Sequence, residues 1–292
     1  MNLALWNIHA LPAKEACVDR PRPRADHCQT GSKCRKNDRN PIVVAMPENA
    51  PNLTAEIEKY HQVPEKFLPV PPAVNLPQLK GENQVYVVDH NMKQVEIVIM
   101  ERSDDHYNST LNPVVSLYNE YFGGNMSSVT FQTLRESKAL AYSTFTSFSA
   151  PTDSSQFYSN MAYIGSQEDK LGDAVDGMMS LLNDSIPQFE QLMLTSKQAV
   201  LKTIASTRIT REAILFNYEN ARKLGLDYDT RKYVYEKIPS LTFAELEKFH
   251  KEKIAHRPYT IMVIGNKKNM DLKALEKYGK INFLTLRDIF GY

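Results

Sequence analysis

Arg135 and Tyr142 stand seven residues apart, across an expected helix end and strand start, so the fold can bring them together. A guanidinium and a phenol at one place can bind peptide carbonyls or a carboxylate terminus. The plainer reading makes Arg135 a surface charge or helix-dipole partner and Tyr142 a core strand residue. Upstream, Gly123 and Gly124 invite a phosphate-loop reading. Neither G-x-x-x-x-G-K-[ST] nor G-x-G-x-x-G is present, and the pair follows an expected helix rather than a strand. Ser127 and Ser128 lack the G-x-S-x-G elbow of a serine nucleophile. The simpler expectation is that Gly123 or Gly124 stops one helix and Ser127 or Ser128 N-caps the next.

Metal hydrolysis needs histidines at helical spacing with a carboxylate base. None of the seven histidines begins H-E-x-x-H or H-x-x-E-H. His250 and His256, with Glu252 between them, are six apart and off a common helical face, and are read as solvated positions. Cys17, Cys28 and Cys34 lie near His27, but without the paired C-x₂-C of a zinc knuckle.

The elements that must position these side chains follow from periodicity. "QVYVV" and "QVEIVIM" read as strands joined in a hairpin by "DHNMK". "LNPVVSLYNEYF" is helical, with Val114, Leu117, Tyr118 and Tyr121 on one face, and a second helix is expected from about Ser127 to Ser137. "ALAYSTFTSFSA" and "QFYSNMAYIG" read as antiparallel strands. Residues 168–256 look helical with breaks at Pro187, Gly225 and Pro239, and the last helix starts on a Thr242–Glu245 capping box stapled by Leu241 and Leu246. Phe243, Leu246, Phe249 and Ile254 supply its buried face, and "YTIMVIG" is expected as a central strand. The class is α+β, with one antiparallel or mixed sheet covered on one face by helices.

Residues 1–50 carry no sustained period and read as a basic, disordered tail, in which residues 1–40 hold eight Lys/Arg against four Asp/Glu. Residues 51–82 read as a short helix over Thr54–Phe67 and a proline-rich linker, so the globular domain is expected over 83–292. With a net charge of +1 there is no global case for nucleic acid as partner, and no segment approaches the ~20 apolar residues of a membrane span. The compartment stays open.

The stretch "NEYFGGNMSSVTFQTLRESKALAYS" closely resembles an element of the pitrilysin (insulinase) family of zinc metallopeptidases, whose LuxS/processing-peptidase-like fold the mitochondrial processing peptidases share. The resemblance rests on Gly123–Gly124, Ser127–Ser128, the L-R-E run ending at Glu136, and the A-Y pair ending at Tyr142, and it extends over roughly 83–292. It implies four similar α/β domains in a complete member, with H-x-x-E-H in the first. The last, non-catalytic domain contributes an arginine and a tyrosine that hold substrate peptide, matched here by Arg135 and Tyr142. This chain would then resemble that C-terminal domain, inactive alone, completing the chamber of a zinc-bearing half. No cofactor is expected on the chain itself, the zinc belonging to the partner or missing catalytic domain. The alternative is a structural or assembly subunit, or an inactive fragment, of the same fold.

Overall fold

The computed structural model describes residues 81–291. The expected basic tail, the cysteine–histidine group and the helix over Thr54–Phe67 lie outside these described residues. Leu76–Arg208 and Asn220–Tyr292 form one compact unit; Ile209–Glu219 fall in a second one.

The first unit is built on six strands: β1 (Gln84–Asp89), β2 (Val95–His106), β3 (Ser143–Ser149), β4 (Phe157–Ser166), β5 (Thr260–Gly265) and β6 (Ile281–Leu284). Their order across the sheet is β3-β4-β2-β5-β1-β6. β3, β4, β2 and β5 pair antiparallel, whereas β1 runs parallel to both β5 and β6. The sheet is therefore mixed, with "TIMVIG" near its centre.

β1 and β2 do not form the expected hairpin. β5 lies between them, hydrogen-bonded to each, with Val87 opposite Val263 and Ile97 opposite the same residue. Five residues join β1 to β2, and strands one place removed are only about 10 Å apart. A loop of that length spans either arrangement, so its polarity and length cannot distinguish them.

Side chains alternate along the strands, and one face is buried: Val85, Val87, Ile97, Ile99, Ala162, Ile164, Ile261 and Val263 are essentially inaccessible. Against this core stand helices α1 (Asn112–Tyr118), α2 (Val129–Phe131), α3 (Leu171–Asn183), α4 (Glu190–Ser206), α6 (Thr230–Lys237) and α7 (Phe243–Lys253), each with buried residues, while α5 (Arg211–Lys223) falls mainly in the second unit and α8 (Leu286–Phe290) has no buried residue. Breaks fall at Pro187, Gly225 and Pro239 as expected, and a further one separates α4 from α5.

The start of α7 follows its sequence signal. Thr242 Oγ1 accepts from Glu245 N while Glu245 Oε2 accepts from Thr242 N, and Leu241 and Leu246 are both buried. Phe249 then meets Tyr118 and Phe148, with ring centroids 5.1 Å apart in both cases. His250 is a correction: it is wholly buried rather than solvated, and its Nδ1 lies 2.8 Å from the Tyr118 hydroxyl. It shares the helix face of Leu246 and Phe249, so periodicity, rather than residue type, indicates its place.

Candidate functional site

The expected second helix, Ser127–Ser137, is only partly α-helical. Ser128 caps it, its Oγ accepting from Phe131 N at 3.4 Å, while Ser127 is exposed and its N–H goes to Asn125 Oδ1 at 2.7 Å. After the short α2 the chain widens into a π-helix over Gln132–Ser137. A first π-helical segment, Asn119–Gly123, ends α1. Wide turns of this kind are uncommon and concentrate at functional sites.

The two glycines have different reasons. Gly124 caps the first π-helical segment, its N–H reaching Asn119 O at 2.7 Å with an ordinary right-handed φ of −86°. Gly123 meets a neighbour instead: a Cβ there would sit 1.9 Å from Thr146 Oγ1 and 2.2 Å from Thr146 O. Its absence lets the helical segment lie against edge strand β3. Beside it, the Asn119 side chain donates to Phe148 O at 2.9 Å and accepts from Phe148 N at 2.8 Å. That amide occupies the outer edge of β3 as a neighbouring strand would.

Arg135 leaves the second π-helical segment toward solvent while its neighbour Leu134 is fully buried. The Arg135 guanidinium carbon lies 4.7 Å from the centre of the Phe131 ring. Its Nε is 3.9 Å from Glu136 Oε1, an exposed and weak ion pair. The arginine is thus steadied against an aromatic face and exposed.

Between Arg135 and Tyr142 the backbone reverses. Ala139 adopts φ +49°, a left-handed conformation that a residue with a Cβ enters only at some cost. Three side chains from the end of β4 and the segment after it hold this turn. Lys170 Nζ donates to Ala139 O at 3.0 Å, Ser166 Oγ to Leu140 O at 2.5 Å, and Gln167 Nε2 to the Tyr142 hydroxyl at 2.7 Å. Tyr142 is half exposed rather than a core tyrosine. Among the described residues no hydrogen bond joins Arg135 to Tyr142. They share one short, tied-down segment.

An open cleft of about 450 Å³ borders this segment, lined by Lys138, Leu140, Asp173, Asp176 and Gly177. Asp176 is occupied by Lys277 at 2.6 Å and the Tyr278 hydroxyl at 2.7 Å. Chemically, the segment offers hydrogen-bond donors and a cation beside an open groove. It offers neither a nucleophile with a base nor a metal centre.

Residues 48–191 match the family model described as the peptidase M16 inactive domain. The chain is similar to a non-catalytic peptidase domain. Solved structures agree in fold. The peptidase M16 inactive domain from Pseudomonas fluorescens superposes with a TM-score of 0.55 at 13% identity, over 69% of this chain and 48% of its own. A conserved protein from Enterococcus faecalis gives 0.58 at 16% identity, over 75% and 51%. A protease from Helicobacter pylori gives 0.56 at 12% identity, over 74% and 52%. The chain spans about half the length of these solved structures. No curated protein matches it. The sequence has no H-x-x-E-H, and among the described residues no three His, Cys, Asp or Glu side chains could hold a metal ion together.

Two buried ionisable groups carry no obvious sequence signal of function. Glu101 lies in the buried face of β2, opposite Asn160, and its Oε2 has no hydrogen-bond partner among the described residues. Burial, reinforced by Asp104 and Asp105 and opposed by Arg257, raises its carboxyl from 4.5 to about 7. Burial also lowers His250 from 6.5 to about 4, against the pull of the backbone groups of Asp184 and Leu182. Both are too enclosed to meet a substrate, at 4% and 0% exposure.

Proposed function

We propose that this chain acts as a non-catalytic M16-like domain that holds extended peptide on the Arg135–Tyr142 segment and completes the chamber of a zinc-bearing half. The observation that carries the reading is the way that segment is presented. Its arginine and tyrosine are exposed, yet the backbone between them is tied down by Ser166 and Lys170 in a conformation that costs free energy. Holding a peptide still beside a reacting centre lowers a barrier through orientation, so a domain without catalytic groups can still contribute to cleavage. Arg135 donates to peptide carbonyls, Tyr142 adds a hydroxyl, and the cleft beside Leu140 receives neighbouring side chains.

A fluorescence-anisotropy titration of the full chain with a labelled, unstructured peptide tests this. Arg135→Ala and Tyr142→Phe are each expected to raise Kd roughly 3- to 10-fold, the range of one or two lost hydrogen bonds. Unchanged Kd in both variants, or no binding by the wild-type chain, would overturn the reading.

A further inference from the structure

We propose that Gln167 is a positioning residue for Tyr142, turning the tyrosine hydroxyl proton toward a backbone carbonyl of the bound chain. The inference rests on the peptide-holding reading above and assigns a role to a residue outside the motif.

The direction of one hydrogen bond carries it. Gln167 Nε2 donates to the Tyr142 hydroxyl oxygen at 2.7 Å, which occupies a lone pair and leaves the hydroxyl proton to donate elsewhere. Both residues are exposed, so that proton faces a ligand or solvent. The pair therefore presents a hydroxyl donor whose direction Gln167 sets. A peptide backbone supplies the complement, a carbonyl for the Tyr142 proton, whatever side chains it bears.

The strand that delivers Gln167 is well anchored. Gly165 O accepts from Tyr142 N at 2.8 Å, so the backbones on which the two side chains sit are hydrogen-bonded to each other. Ser166, fully buried, holds Leu140 O on one side of Gln167, and Lys170 holds Ala139 O on the other. The Gln167 side chain is the one member of this set that touches a ligand-facing group rather than the backbone of the turn.

Gln167→Glu separates a positioning role from simple packing, because it keeps shape and reverses polarity. A carboxylate accepts the tyrosine proton, turning the hydroxyl inward, and Kd for the labelled peptide should rise to the level of Tyr142→Phe, roughly 3- to 10-fold. Gln167→Ala should weaken binding less, and combining either change with Tyr142→Phe should add little further. The thermal midpoint should not move, since Gln167 is exposed and supports no core contact. If Gln167→Glu binds as wild type while Tyr142→Phe weakens binding, the inference fails and the peptide-holding reading survives. Full additivity with Tyr142→Phe also defeats it. If the wild-type chain binds no peptide, both fail together.

Discussion

Glu101 and His250 are buried on the helix-covered side of the sheet and have opposite effects on how stability responds to pH. Glu101 is raised to about 7, so its folded form favours the proton; its contribution is complete below 4.5 and is lost as pH rises through 7. His250 is lowered to about 4, so its folded form favours the neutral ring; its contribution is complete above 6.5 and is lost as pH falls toward 4. Between pH 4.5 and 6.5 the two slopes oppose each other. The aspartates held low by hydrogen bonds, Asp105 and Asp229 among them, titrate below this window. Glu101→Gln removes one slope, so the variant should gain on the order of 2–3 kcal/mol relative to wild type between pH 5 and pH 7. Urea midpoints at the two pH values check this; a wild-type-like pH response in the variant would show that Glu101 is not held protonated. Neither group was legible by residue type, because a glutamate in a strand and a histidine in a helix are read as solvated. The alternation of β2 and the face shared with Leu246 and Phe249 carried the information instead.

The element scale is where the glycine pair and the π-helical segments find their meaning. The sequence reading of a helix stop followed by a serine cap is correct at Gly124 and Ser128. It misses Gly123, whose need comes from Thr146, distant in sequence and close only after β3 has folded against the segment. It also misses Asn119, which covers the outer edge of β3 through two hydrogen bonds to Phe148. Gly123→Ala must push the segment off β3, and a loss of roughly 2–4 kcal/mol is expected by urea unfolding, comparable to overpacking elsewhere in protein cores. Gly124→Ala, with its right-handed φ and a nearest non-neighbour atom at 3.0 Å, should cost clearly less. Equal losses would contradict this division of roles. The π-helical segments themselves leave no pattern in one sequence, since the apolar spacing of "SSVTFQTLRES" suits an ordinary helix equally well.

At the scale of the whole molecule, strand composition and the central "TIMVIG" run were legible as an α+β sheet buried on one face, and the M16-like structures share that architecture. The pairing order was not legible, because β5 enters between β1 and β2 from far along the chain and the short β1–β2 loop permits either arrangement. Arg135 and Tyr142 enter the proposal through their motif alone. The support of Ser166, Gln167 and Lys170 appears only once β4 brings residue 165 alongside residue 142. The chain spans about half of the solved structures it matches, and among the described residues no group of His, Cys, Asp or Glu could hold a metal ion. Its proposed contribution lies on one surface, the turn from Arg135 to Tyr142 together with residues 166–170. Backbone-amide hydrogen exchange of the full chain, with and without saturating peptide, maps that surface directly. Slowed exchange concentrated in 135–142 and 166–170 is the predicted result, and protection elsewhere with none in these two segments would contradict the account.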